Sequence, residues 1–485
     1  MTLSDLMLNT KVILPMVVLI AWSCVLLLLD LFIPKGRKSW TALLAGLGLL
    51  LCMGVTISQA GWVASGFNGM VIHDGFSSYL QILFLSSGLA GIAIAFDYLR
   101  RMDIDRGEYY ILLLFSIIGM LLMSQANDLI VVFLALELLS IPLYVLSGFA
   151  RPRVESEEAA LKYFLMGAFA GGFVVFGVAL VFGATGTTNL GAIVDAVNAN
   201  IANIQLLTIG AALILVGMGF KVAVVPFHMW TPDVYQGAPS SVSAFMSVGA
   251  KAAGFAALLR IFLTAFPSLA PDLTMVFWTI SALTMFLGNV VAIAQNNIKR
   301  LLAYSSIAHA GYIMMALVTF GNAAIHQEVV SASLFYLAAY AFTSFGAWAV
   351  VIALEKAEGG GLSLNDYAGL GRKYPLLAAS MAVFMLSFTG IPPTLGFMGK
   401  FYLFRTVIEG GYMGLALIGV FTSLISAYFY LRVIVIMYMR EGEPTARKEF
   451  WVRSTAAAAA ILVVVLSLAA GPLLNLAAKA VLTIF

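Results

Sequence analysis

Charge is what this 485-residue chain has least of: Asp, Glu, Lys and Arg make up 10% of it, against 62% hydrophobic residues. A soluble domain carries about a quarter charged residues, so the composition excludes one and indicates an integral membrane protein. Cysteine is nearly absent. Cys24 and Cys52 lie inside apolar runs and no CxxC or Cys/His cluster occurs, so a disulfide framework, iron–sulfur ligation and structural zinc are unsupported. Of four histidines, His73 and His326 fall in connecting loops and only His228 and His309 near buried segments. No connecting segment is long enough for a soluble catalytic domain of about 50 residues. The net charge of +3 is small and its basic residues are scattered over short loops, which argues against a nucleic-acid partner. Gly359 to Gly361, with Gly369 and Gly371, lacks a Walker lysine and a preceding strand, so it reads as a flexible linker and not a phosphate loop.

What the chain has instead is long apolar runs. A run of about 20 residues crosses about 30 Å of hydrocarbon as a helix, and fourteen such runs are found: 11–33, 39–59, 77–99, 108–125, 127–149, 158–183, 205–230, 240–266, 273–295, 300–320, 328–354, 375–404, 411–439 and 454–483. The first, too long for a signal-peptide core and without a small-residue cleavage site, reads as a retained span. The loops test this count, because cytoplasmic loops collect Lys and Arg. One alternate set holds Lys35, Arg37, Lys38, Arg100, Arg101, Arg106, Arg151, Arg153, Lys299, Arg300, Lys356, Arg372, Lys373, Arg440, Arg447, Lys448 and Arg453; the other holds Arg405, with Lys11 and Lys479 near the termini. Both termini are therefore expected on the outer face.

Two spans are interrupted. Pro226 breaks the seventh, and Gly390, Pro392, Pro393 and Gly396 break the twelfth. Backbone groups freed by proline find no partner in lipid, so such breaks belong inside protein or beside a wet cavity. Paired breaks point to an internally repeated transporter fold with its site at the interruptions. The chain then divides into three N-terminal spans (1–107), five spans (108–266), five more (267–439) and a last one (440–485).

Four ionisable residues fall well inside the spans: Glu137, Lys221, Lys251 and Lys400. Glu137 and Lys251 are about ten residues, or about 15 Å, from the nearest span end, too deep to snorkel easily, whereas Lys400, Arg260 and Arg432 lie nearer an end. Intramembrane charges mark ion or proton pathways. Lysines do not ligate hard cations and one glutamate is too few oxygens for sodium or calcium, so no metal site is expected and protons are the natural cargo. A Glu–Lys pair at about 4 Å in an effective dielectric of about 20 is worth about 4 kcal/mol, more than the roughly 2.3 kcal/mol needed to move one charge against about 100 mV. His309, near Ser305, Ser306 and Tyr312, suits a proton relay or a hydrogen bond between helices. His228, just after Pro226, suits a structural role, holding freed backbone groups.

With these residues on the page, the chain resembles the antiporter-like membrane subunits of respiratory NADH:quinone oxidoreductase, complex I. The resemblance rests on Pro226 to Pro239 (PFHMWTPDVYQGAP), Asn297 to Tyr312 (NIKRLLAYSSIAHAGY) and Gly390 to Phe401 (GIPPTLGFMGKF), and the TPDVYQGAP ending looks like the N-type subunits more than the L and M types. The resemblance implies an all-α membrane protein of about 14 helices with two inverted five-helix repeats, each holding one broken helix. It implies that Glu137 and Lys221 form the key pair, Lys251 the central relay and Lys400 the last lysine of a proton path. It also implies that the chain binds no cofactor, NADH, flavin, iron–sulfur clusters and quinone belonging to partner subunits, and that its neighbours are other membrane-arm subunits and lipid in the bacterial inner membrane. A subunit of a multi-subunit cation/proton antiporter shares this fold, and a structural spacer with relic charges is the third reading.

Overall fold

The computed structural model describes residues 3–357 and 359–483, nearly all in helices. The chain opens with α1 (Leu3–Val12) and α2 (Leu14–Asp30), bent 72° from each other. Pro15 lies in the first turn of α2, where a missing amide hydrogen costs nothing. Then come α3 (Ser39–Ser58), an antiparallel hairpin of β1 (Ala64–Gly66) and β2 (Val71–His73), α4 (Gly75–Arg101), α5 (Gly107–Gln125), α6 (Leu129–Ser147), α7 (Val154–Thr185) and the short α8 (Leu190–Asn198). The centre of the chain is α9 (Ile204–Val222), α10 (Trp230–Gly237) and α11 (Ser240–Phe245), which runs through a π-helical turn (Met246–Ala250) into α12 (Lys251–Thr264). There follow α13 (Ala270–Ile293), α14 (Ile298–Leu317) and α15 (His326–Leu354), a 3-10 turn (Leu364–Tyr367) with the one-turn α16 (Leu370–Lys373), α17 (Pro375–Thr389), α18 (Leu395–Glu409), α19 (Met413–Met439), α20 (Phe450–Leu468) and α21 (Ala470–Lys479).

Every one of the fourteen apolar runs coincides with a helix or helix pair. Yet among the described residues only eleven helices are long and apolar enough to cross a membrane, or twelve if α1 and α2 count as one span. Two runs fall short of that standard. The twelfth is split into α17 and α18 of 15 residues each. The tenth, α14, carries Ser305, Ser306, His309 and Tyr312, all buried, and is a polar helix held inside protein. The hairpin and α8 had no counterpart in the apolar pattern.

Burial separates the helices into an inner and an outer group. The most apolar window of Ser240–Thr264 is wholly buried and that of α15 94% buried, while α20 buries only 22%, so α11, α12 and α15 form the axis around which lipid-facing helices pack. Close approach comes from small residues, as expected where lipid supplies no hydrophobic drive between helices. A Cβ on Gly177 of α7 would lie 2.7 Å from the Gly210 carbonyl of α9, and one on Gly210 would lie 2.9 Å from the Gly177 carbonyl, so the two backbones touch.

Candidate functional site

The two interruptions lie where Pro226 and the Gly390–Pro393 stretch put them, and protein satisfies the freed backbone in both. In the first, Ala223 turns left-handed (φ +62°) to end α9. Val224 N–H returns to the Gly219 carbonyl at 3.0 Å, Val225 N–H donates to Thr284 Oγ1 at 2.9 Å, and Trp230 Nε1 donates to the Phe220 carbonyl at 3.0 Å. In the second, Gly390 turns left-handed (φ +86°) to end α17, and Gly396 N–H donates to Ser387 Oγ at 3.1 Å. Val225–Pro226 and Pro392–Pro393 are cis.

Of the three lysines singled out by the sequence, Lys221 and Lys400 sit at these breaks and Lys251 at the π-helical turn. Lys221 sits in the last turn of α9, 4% exposed, and its Nζ donates to Ser140 Oγ of α6 at 2.8 Å and to the Tyr163 hydroxyl of α7 at 3.2 Å. The Trp230 ring stacks on Tyr163 with centroids 4.6 Å apart, closing the break over the amine. Lys251 follows directly on the π-helical turn, a feature frequent at functional sites, and donates to the carbonyl and the hydroxyl of Ser306, both at 2.6 Å. Lys400 reaches back from α18 to the end of α17, donating to the carbonyls of Phe388 and Thr389 at 2.9 Å and to Ser423 Oγ at 2.6 Å. The last carbonyls of a helix lack intrahelical donors and carry partial negative charge, so the broken end of α17 is itself the partner of this ammonium.

Glu137 and Lys221 lie near enough to interact by charge, though not as a direct ion pair. Among the described residues no carboxylate oxygen lies within 4.0 Å of Lys221, Lys251 or Lys400. Glu137 is half-buried on α6, one turn from Ser140, with its Oε1 against the bare Cα of Gly171. Ser140 takes the place next to the amine because it is the residue of α6 that faces the end of α9.

His309 lies at the centre of a polar cluster between Lys251 and Lys400. Its Nδ1 meets the Tyr336 hydroxyl at 2.6 Å and its Nε2 the Tyr430 hydroxyl at 3.2 Å. Tyr430 also bonds Ser305, the neighbour of Ser306, and Lys400 Nζ lies 4.6 Å from the Tyr312 ring centre. His228, 6% exposed, lies against the backbone of Pro226 in the break, where Thr284 and Trp230 hold neighbouring backbone groups. Arg260, near a span end by sequence, is 1% exposed and paired with Asp74 at 3.0 Å. The local signal was in the sequence, since Asp74 and Ser77 form the capping box that starts α4. Among the described residues no group of three or more His, Cys, Asp or Glu is placed to hold a metal ion.

Comparison with known proteins bears on these groups. A family model described as NADH:quinone oxidoreductase/Mrp antiporter, transmembrane, matches residues 126–426, which contain Glu137 and all three lysines. The NADH-quinone oxidoreductase subunit N of Chloroflexus aggregans is 46% identical over 482 residues, covering 98% of each chain. That of Trichlorobacter lovleyi is 46% identical over 458 residues, 94% of this chain and 92% of the relative. Among solved structures, a chain of respiratory complex I from Thermus thermophilus superposes with a TM-score of 0.82 at 37% identity, covering 96% of this chain and 99% of that one. A chain of the Mrp complex from Dietzia reaches a TM-score of 0.84 at 20% identity over 98% and 97%, a likeness of fold alone.

Proposed function

The chain belongs to the NADH:quinone oxidoreductase/Mrp antiporter transmembrane family, and from that membership we propose that it is a proton-translocating membrane-arm subunit of NADH:quinone oxidoreductase, of the N type. Protons move along Glu137, Lys221, Lys251 and Lys400, with His309 relaying between the last two. The observation that carries this reading is that three lysines, 3–4% exposed, are each held by neutral oxygens alone. A buried ammonium without a counter-ion is held against a desolvation cost of several kcal/mol, so each can be filled and emptied of a proton by modest movements of nearby charge. Glu137, one turn from Ser140, is the charge placed to act on Lys221 in this way.

The reading extends to the parts around the chain. Redox chemistry is carried by partner subunits that hold NADH, flavin, iron–sulfur clusters and quinone, and other membrane-arm subunits flank this one in the bacterial inner membrane. The segments 108–266 and 267–439 act as the two inverted halves, and both termini face the outer side. The test is Lys251→Met in the assembled complex in sealed vesicles. Proton translocation and coupled quinone reduction should fall together, and unchanged values with normal assembly would sink the proposal.

A further inference from the structure

The path above does not use one buried acid. Glu355 ends α15 and is 3% exposed, although the next residue, Lys356, is exposed. Its Oε1 accepts from the Tyr98 hydroxyl at 3.4 Å, while its Oε2 has no partner among the described residues. Around it stand other polar groups in the same condition. The Tyr367 hydroxyl, which faces Glu355, and Ser240 Oγ are both fully buried and unpartnered, and Ser240 N–H donates to the same Tyr98 hydroxyl at 3.1 Å. Lys299, 2% exposed and near Glu355, spends its ammonium on the Ala238 carbonyl at 2.7 Å. A buried carboxylate without an ion pair, beside unpartnered hydroxyls, is costly unless those atoms share water.

From this cluster a line of hydroxyls leads inward. Ser240, Ser243, Ser247 and Lys251 follow one another at spacings of three, four and four residues, so they share a face of the same helix, and all four are buried. Neighbours on such a face are about 5–6 Å apart, a gap that one water spans with two hydrogen bonds. Ser247 also meets Ser344 of α15 at 3.0 Å. Ser243 Oγ donates to the Tyr235 carbonyl at 2.9 Å and Ser247 Oγ to the Ala244 carbonyl at 2.8 Å; a serine hydroxyl both donates and accepts, so each takes a proton on one side and releases one on the other by rotating away from that carbonyl.

We infer that Glu355 is the collecting group of a proton uptake port that opens at the Lys356 end of α15 and feeds Lys251 through Ser240, Ser243 and Ser247. The carboxylate binds a proton from the aqueous side; its O–H passes that proton by way of water to Ser240, and each hydroxyl in turn gives up one proton as it gains another. At the end the neutral Lys251 amine becomes an ammonium, and Glu355 is again a carboxylate.

The inference rests on Lys251 being a proton carrier, and the experiment separates the two. In the whole complex in sealed vesicles, Glu355→Gln should reproduce the joint fall in proton translocation and coupled quinone reduction that Lys251→Met causes, about a hundredfold in the step it feeds. Glu355→Asp, which keeps a titratable oxygen, should restore it in part, and combining Glu355→Gln with Lys251→Met should cost nothing further. A deficit with Lys251→Met and none with Glu355→Gln overturns the port and leaves the proton path standing. No deficit with either overturns the path itself. If the Gln variant fails to assemble, Ser247→Ala, which leaves both ends in place, is read the same way: a deficit supports the port and wild-type translocation overturns it.

Discussion

Ser140 decides what Lys221 is bonded to, because it faces the end of α9 while Glu137 sits one turn away. Hydrogen bonds to charged groups contribute about 1.5–3 kcal/mol. Replacing Ser140 by Ala should therefore free the amine toward Glu137, slowing proton release severalfold in vesicle translocation assays, with Ser140→Thr close to wild type. If Ser140→Ala were silent where Lys221→Met is not, the serine would be only a filler. A second residue gives a pH dependence outside the membrane. Asp233 of α10 would be pushed up by burial, but hydrogen bonds from Lys162 at 2.8 Å and Arg300 at 2.8 Å outweigh this and hold its carboxyl below the usual carboxylate range. Its folded value is thus lower than its unfolded value of about 4. The stability it contributes is present above that unfolded value and is lost as pH falls through the folded one. Melting temperature should fall more steeply on acidification for the wild type than for Asp233→Asn, the two curves converging at the acid end.

The broken helices are the elements that arrange the site, and they are also where sequence and structure agree best. Proline and glycine act on their own backbone, so Pro226, Gly390, Pro392 and Pro393 could be read without knowing what packs beside them. The oxygens that hold the lysines could not. Ser140, Tyr163, Ser306 and Ser423 lie 58 to 81, 55 and 23 residues from their amines, and which of a helix's faces meets a distant partner depends on packing that no local pattern encodes. The same limit explains why α14, polar yet buried, reads by composition as an ordinary span. Gly390 allows a test at this scale. Its φ of +86° disfavours any Cβ, and a Cβ there would come 2.9 Å from Lys400 Cδ. Gly390→Ala should cost about 1–2 kcal/mol in backbone strain and also displace the amine from the α17 carbonyls. Translocation should then fall as it does for Lys400→Met, whereas Gly172→Ala, with open space around it in α7, should leave activity unchanged and add about 0.5–1 kcal/mol of stability.

Taken as one molecule, the chain places its basic loops at the ends of a lipid-facing shell and its conditional charges along a polar interior built on α11, α12, α14 and α15. The arrangement predicts how the charges act on each other. Lys221, Lys251 and Lys400 belong to separate helices, and the cluster of Ser305, Ser306, His309 and Tyr430 lies between the last two. If protons pass through these groups in series, interrupting one stops the flow at all of them. Residues that act as a unit are strongly non-additive when removed together, whereas independent sites add. The Lys251→Met, Lys400→Met double variant should therefore translocate no less than the worse of the two single variants. A double variant whose loss equals the sum of the single losses would mean that the two lysines serve parallel routes, and that the polar cluster around His309 joins helices without carrying protons between them.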